Sequence, residues 1–333
     1  MSVIAITIGD YNGIGPEVAL KAAASRTIRA NCTPLLIGPF KAFEYYANKL
    51  SIRRKILSVN SLTDAIGRSE ITILDTCPNF NDKIRPGKLA RESGLWAGRA
   101  IEKGVELCVQ HQSDAIVTAP VSKEALRLAG YGYPGQTEMV TILSKSKRSI
   151  MVMASGFARI ALATIHLPIS EVSRALTREV ICERLQIFNE SIKQDFGIKS
   201  PKIAVLGLNP HAGENGLIGK EENETVKPAI EDAHSMKINA IGPFPADAFF
   251  GTYRQGYYDG ILAMYHDQGL IPLKMQSFNT GINFTAGINI IRTSPDHGTA
   301  FDIAGKGIAN PSSTIEAIKL ALEISKNRRL ARD

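Results

Sequence analysis

The chain reads as an α/β protein built on a largely parallel sheet, and three observations carry that reading. Short apolar, β-rich runs alternate with longer helical stretches from end to end. The composition, 44% hydrophobic and 21% charged, is that of a globular chain and excludes disorder over most of its length. At 333 residues the chain also exceeds the size at which one core keeps growing, so two lobes are expected. Residues 3–8 (VIAITI) form the first predicted buried strand, followed by a glycine turn and a helix starting near Pro16. Further strands are predicted at 34–37, 71–74, 115–118, 150–153, 159–165, 203–208, 259–265 and 288–291. Helical patterns are clearest at 89–110, 170–195, 221–235 and 312–327. No low-complexity linker or fixed-period repeat interrupts them, so the lobes are expected to be intimately joined.

Charge and composition narrow the function classes. The net charge is +7, but the basic residues are scattered, and the densest group, KNRRLAR near the C-terminus, reads as a solvated helix end. No nucleic-acid-reading motif accompanies it, so a site for a small anion is the more economical use of the charge. No apolar run reaches the ~18 residues of a membrane helix. The start, MSVIAITIGDYNG, lacks the basic segment and cleavage site of a signal peptide. Cys32, Cys77, Cys108 and Cys182 are far apart without a CxxC pair, which suits reduced, mostly buried thiols. Together these features read as a soluble cytoplasmic protein.

Three of the six histidines stand in equivalent places, at or just beyond the end of a predicted strand: RIALATI-His166, KIAVLGLNP-His211 and GILAMY-His266. Carboxyl ends of parallel strands line the ligand crevice of an open sheet, so three imidazoles delivered there can converge on one divalent ion. The alternative is three hydrogen-bonding residues at a crevice. Asp267 or Gln268 could orient a ligating His266. His111 and His234 lie in polar helical surroundings and are assigned no role. GDYNGIGPEV (Gly9–Val18) is a glycine turn opening a helix; it is not GxGxxG, and Glu17 in the first turn opposes a pyrophosphate there. DHGTAFDIAGKGIANP (Asp296–Pro311) is a long loop without periodicity, a form that is more often functional than not.

GIGPE, TAPVSKEAL (118–126), GQTE (135–138), IHLP, NPHAGENG, AMYHDQG and IRTSPDHGTAFDIAGKG together resemble the 4-hydroxythreonine-4-phosphate dehydrogenase family along essentially the whole chain. The first and last motifs also resemble the wider isocitrate and isopropylmalate dehydrogenase superfamily. The resemblance implies two α/β/α lobes with an active-site cleft between them. Residues 1–130 plus 276–333 would carry the cofactor loop, and 131–275 the metal ligands and dimer contacts. It further implies NAD, a small phosphorylated substrate, and one divalent metal (Zn, Mg, Co or Mn) held by His166, His211 and His266. That site would be shared across a homodimer, one imidazole coming from the other subunit. The family's substrate contacts map onto Gln136, Thr137, Lys274, Asn283 and Arg292. Asp247 and Lys274 are the catalytic candidates, and His297, Gly298, Thr299, Asp302 and Asn310 the cofactor-binding ones.

One position departs from the family: Gln136 stands where GHTE carries its histidine. Glutamine donates and accepts hydrogen bonds as a neutral imidazole does, but carries no proton near neutrality. The implied chemistry is oxidation of a β-hydroxy acid followed by loss of CO₂, with Arg292 as a fork-like phosphate partner. Asp302 follows HGTA by the spacing at which NAD-using relatives bind the adenosine ribose, where its charge would repel a 2′-phosphate. The alternative substrates are D-threonate or D-erythronate 4-phosphate. The competing classes are a metal-dependent hydrolase or acyltransferase on a similar scaffold and a non-catalytic phosphometabolite binder.

Overall fold

Every predicted apolar run but one becomes a strand in the computed structural model, which describes residues 2–331. The strands begin with β1 (Ser2–Thr7), β2 (Cys32–Gly38), β3 (Ile56–Val59), β4 (Ile71–Asp75), β5 (Ala115–Val117) and β6 (Ile150–Ala154). They continue with β7 (Arg159–Leu162), β8 (Lys202–Leu206), β9 (Asn239–Phe244), β10 (Gly260–Ala263), β11 (Ile282–Ala286) and β12 (Arg292–Pro295). The helices are α1 (Gly15–Ala24), α2 (Arg26–Asn31), α3 (Phe40–Lys49), α4 (Arg91–Val109), α5 (Lys123–Leu128) and α6 (Gln136–Leu143). After them come α7 (Ile169–Ala175), α8 (Arg178–Asp195), α9 (Lys227–Ser235), α10 (Ala246–Thr252), α11 (His266–Ser277) and α12 (Ser312–Leu330).

The chain divides into two compact units. The first runs up to Lys147 and resumes at Ile288–Lys326; the second takes Arg148–Gly287 and the chain from Asn327 on. These bounds differ from the expected ones for identifiable reasons. Met139 and Val140 of α6 are buried with Ile101, Val105 and Ile116, so α6 belongs to the first unit. β11 pairs with β6 from Asn283↔Met153 to Ala286↔Ile150 and so belongs to the second.

In the first unit the strand order is β3-β4-β2-β1-β5-β12, and every pairing is parallel. Every residue of β2 is buried, as is β1 from Val3 to Thr7, which is why these strands read as unbroken apolar runs. Connections from β1 lead to one side through β2 and to the other at β5, so the topological switch lies between β1 and β5. In the second unit the order is β11-β6-β7-β10-β8-β9. Here β6 runs antiparallel to both β7 and β11, which corrects the expectation of a largely parallel sheet for this half. β10 lies between β7 and β8, parallel to both.

Three further readings change. Residues 288–291 are not a strand: Ile288 and Ile290 are apolar because they pack into the cluster with Ile101 and Met139, and pairing begins at Arg292. The stretch 170–195 splits into α7 and α8, with the Thr177 side chain accepting from Val180 N–H (3.3 Å) to cap the second helix. The KNRRLAR end is in part docked, Arg328 Nε lying 2.6 Å from Asp195 Oδ1 and Asn327 donating to the Asp195 carbonyl, while Lys326, Arg329, Leu330 and Ala331 are exposed and Arg332 lies outside the described residues. All four cysteines are free, Cys32 and Cys108 buried, and burial pushes both thiols up to about 12. Among the described residues no helix is long and apolar enough to cross a membrane.

Candidate active site

In the first unit, three loops meet at the carboxyl ends of β1, β5 and β12. Gly9, two residues past β1, has φ +67°, and a Cβ there would stand 2.4 Å from the Pro120 carbonyl oxygen, so the close crossing with the chain leaving β5 requires glycine. Asp10 N–H donates to that same carbonyl (2.8 Å). Asn12 is fully buried and fastens the segment before α4, its side-chain oxygen accepting from Arg85 N–H (2.8 Å) and its carbonyl from Gly87 N–H (2.7 Å). Ile14 N–H in turn donates to the Thr299 carbonyl (3.0 Å), tying the turn to the start of the 296–311 loop.

Glu17 fastens the far end of that loop. Its buried carboxylate accepts from Ala309 N–H (2.8 Å) and from Lys21 Nζ (2.7 Å), and Lys21 also donates to the Gly307 and Ala309 carbonyls. Glu17 does lie in the first turn of α1, and its carboxylate faces loop backbone. Asp302, between the two fastenings, and Asn310, just beyond them, are exposed; ahead of them Gly298 faces open space, and His297 Nε2 is buried with no hydrogen-bond partner among the described residues. Burial holds the His297 imidazole below its ordinary 6.5. A loop fixed at Thr299 and Ala309, with an outward carboxylate between them and an orphaned ring nitrogen just ahead of them, fits a dinucleotide.

Arg292 opens β12 and is 2% exposed. Its Nε and Nη2 both donate to Thr118 Oγ1 (3.0 and 2.8 Å), Nη1 to Thr137 Oγ1 (3.4 Å) and Nη2 to Gln136 Oε1 (3.4 Å). Burial lowers the guanidinium to about 10, a shift opposed by the Glu138 carboxylate, so it stays charged at neutrality. Gln136 and Thr137 sit in the first turn of α6, so the GQTE motif, the TAP motif and Arg292 are assembled around one cation.

In the second unit the strand registers explain why the histidines sit so far apart in sequence. The Leu162↔Ala263 and Leu262↔Val205 pairings, continued past the strand ends, set residues 165, 266 and 209 at one level. Thr164 Oγ1 donates to the Met264 carbonyl (2.7 Å), and the His166 and His266 rings lie with centroids 5.9 Å apart. His266 Nδ1 is 2.6 Å from Asp267 Oδ1. Of the two neighbours expected to orient the ring, Asp267 does so. Gln268 instead bridges strands, its Oε1 accepting from Met264 N–H (2.7 Å) and its Nε2 donating to the Gly207 carbonyl (2.7 Å).

His211 lies on a run of left-handed backbone: φ is positive from His211 to Asn215, a conformation that non-glycine residues adopt only when held. Glu222 holds it. This buried carboxylate accepts from Leu208 N–H (2.8 Å), Asn209 N–H (2.7 Å) and Asn209 Nδ2 (3.0 Å). His211 lines a cavity of about 540 Å³ with Asn209, Asp247, Tyr265, Asp267 and Gln268. His166 and His211 are exposed, and no group of three His, Cys, Asp or Glu that could hold a metal forms among the described residues. Within one chain, therefore, two imidazoles of the expected set stand side by side while the third lies on the cavity wall. Asp247 is exposed in the first turn of α10, and Lys274 is half-buried in the last turn of α11. Asn283 on β11 keeps a buried Oδ1 without a hydrogen-bond partner.

Sequence reasoning missed Glu17 as a fastening, Glu222 and Thr118. EENETV and GIGPEV look like acidic first turns of solvated helices, and nothing in the one-dimensional pattern marks their carboxylates as inward. Glu222→Ala removes the acceptor for three donors, so it is expected to lower unfolding stability by about 2–4 kcal/mol in urea titration. The folded state favours neutral His297, so its contribution is complete above pH 6.5 and is lost as pH falls below that value. The melting temperature of His297→Asn should therefore decline less steeply on acidification than that of the parent.

A family profile described as "Pyridoxal phosphate biosynthetic protein PdxA" matches residues 30–321. The 4-hydroxythreonine-4-phosphate dehydrogenase of Bacteroides thetaiotaomicron is 41% identical over 326 residues, covering 98% of this chain and 89% of that protein. A Bradyrhizobium diazoefficiens protein provisionally named D-threonate 4-phosphate dehydrogenase is also 41% identical, covering 96% and 95%. The solved structure of the 4-hydroxythreonine-4-phosphate dehydrogenase of Klebsiella pneumoniae superposes with a TM-score of 0.87 at 35% identity, covering 98% and 100%. At the level of fold alone, the isocitrate dehydrogenase of Methylococcus capsulatus matches with a TM-score of 0.51 at 16% identity, covering 100% and 88%. The α/β fold is thus of the isocitrate dehydrogenase type, and the chain belongs to the PdxA family of pyridoxal phosphate biosynthetic proteins.

Proposed function

We propose that this chain oxidises and decarboxylates 4-phosphohydroxy-L-threonine to 3-amino-2-oxopropyl phosphate, using NAD, in vitamin B6 biosynthesis. The observation that carries this reading is the buried Arg292, whose hydrogen bonds run to Thr118, Thr137 and Gln136. A guanidinium fixed by hydroxyl and amide oxygens retains its charge for a phosphate dianion. When bound, the nicotinamide accepts a hydride, and a divalent ion would favour the alkoxide of the alcohol under oxidation. His166 and His266 would supply two ligands to such an ion, with Asp267 orienting the second, and His211 of a partner subunit would complete the set. That division explains why the three do not group within one chain, and it makes the working enzyme a homodimer.

This chain's residues have four tasks. Arg292, Thr137 and Gln136 hold the phosphate, and the free Asn283 Oδ1 accepts from the substrate. Asp302 accepts from the adenosine ribose hydroxyls, with His297, Gly298, Thr299 and Asn310 lining the same loop. Asp247 or Lys274 takes the alcohol proton as hydride departs from the same carbon. The resulting β-keto acid then loses CO₂, its electron pair passing to the new carbonyl, and the enolate so formed takes up a proton at the carbon that lost CO₂ to give the aminoketone phosphate. Gln136 orients substrate without exchanging a proton.

A second reading, dehydrogenation of D-threonate or D-erythronate 4-phosphate, is favoured by Gln136 and by the Bradyrhizobium relative's name. These substrates share the phosphate and the vicinal alcohol and differ at C2, where an amine replaces a hydroxyl. The test is a panel of the three phosphates with NAD and Zn, Mg, Co or Mn, read as reduced-nicotinamide absorbance. Turnover highest on the hydroxythreonine ester supports the first reading; highest on a sugar acid, the second; ligand-induced stabilisation without any turnover points to a binder. Asp302→Lys should erode the preference for NAD over NADP by about tenfold in kcat/KM ratio, through loss of ribose hydrogen bonds and of repulsion toward the 2′-phosphate.

A further inference from the structure

The first unit carries a second concave site at the opposite edge of its sheet from the glycine-rich turn. Lys55 immediately precedes β3 and Glu70 immediately precedes β4, so the site borders the amino ends of two parallel strands, whereas Gly9 and Thr118 lie past the carboxyl ends of β1 and β5. A cavity of about 590 Å³ there is lined by Arg26, Arg53, Arg54, Lys55 and Glu70 among small and apolar residues. Four cations against one carboxylate place +3 of the chain's +7 in this lining.

One lining cation and one neighbour are held by backbone carbonyls. Arg54 Nη1 donates to the Ser69 carbonyl, and the adjoining Arg29 Nη2 donates to the Arg68 carbonyl (2.7 Å). Burial, and after it the charge of Arg54, lowers the Arg29 guanidinium from its ordinary value, so like charges crowd here. Glu70 accepts from Ser69 Oγ (3.2 Å). None of the ion pairs among the described residues includes Arg26, Arg29, Arg53, Arg54 or Lys55. Crowding cations around a hollow costs free energy that an anion bound there returns. The lining has no aromatic ring on which a base could stack, and it is a pocket rather than a stripe, so a small molecule suits it better than nucleic acid.

We propose that this pocket binds a compact polyanion carrying two or more phosphate groups, at a site separate from that of the substrate. The test is calorimetric titration of the full chain with inorganic tripolyphosphate, comparing the parent with Arg53→Glu/Lys55→Glu. Both side chains are exposed, and neither makes a hydrogen bond that the fold uses. Arg53→Gln/Lys55→Gln repeats the test without charge reversal. Lys193→Glu/Lys199→Glu, exposed in the second unit, lowers the net charge equally. Saturable binding is expected in the parent, weakened about tenfold in the Arg53/Lys55 reversal and nearly unchanged in the Lys193/Lys199 control. Absence of saturable binding overturns the proposal. So does unaltered affinity in the Arg53/Lys55 variants, which would move the anion elsewhere, or equal weakening in both reversals, which would reduce the effect to net charge.

Discussion

Loop backbone beyond the ends of strands has no ladder partner, and chemistry at a sheet edge requires that backbone to stand still. In this protein, buried carboxylates meet the requirement. Glu222 accepts from two consecutive N–H groups and an amide of the segment leading to His211, and Glu17 accepts from Ala309 at the far end of the 296–311 loop. Each arrangement spares loop donors from going unpaired and gives the carboxylate the hydrogen bonds that make its burial tolerable. The left-handed run from His211 to Asn215 persists because its entry is fixed in this way.

The same economy governs the cation at β12. Arg292 is surrounded by side-chain oxygens contributed by two separated motifs, and that surrounding orients the guanidinium. Thr118 does most of the holding, taking two of the donors at 3.0 and 2.8 Å. Gln136 sits among these oxygens as a hydrogen-bonding residue, its Oε1 accepting from Arg292 Nη2.

Much of this was readable in one dimension. Strand–helix alternation predicts the α/β class because buried parallel strands must be apolar on both faces, and VIAITI is. The positions of His166, His211 and His266 just past strands follow from the same pattern. Other features were not readable. The antiparallel β6 and β11 carry the same apolar character as their parallel neighbours, so direction leaves no trace in composition. Ile288 and Ile290 are as apolar as strand residues because they fill a helix-lined cluster.

The sequence by itself determined which residue types stand at the sheet edge: histidines after strands and glycines where backbones cross. It could do so because burial and turn geometry act locally on composition. Only the tertiary structure decided which of those residues meet. Register between β7, β10 and β8 brings His166 beside His266 across a hundred residues, and the inward turn of Glu17 and Glu222 depends on loops distant in sequence arriving with unpaired N–H groups. Such pairings are set by long-range hydrogen bonding, for which a carboxylate in a helical first turn looks the same whether it faces water or the protein interior.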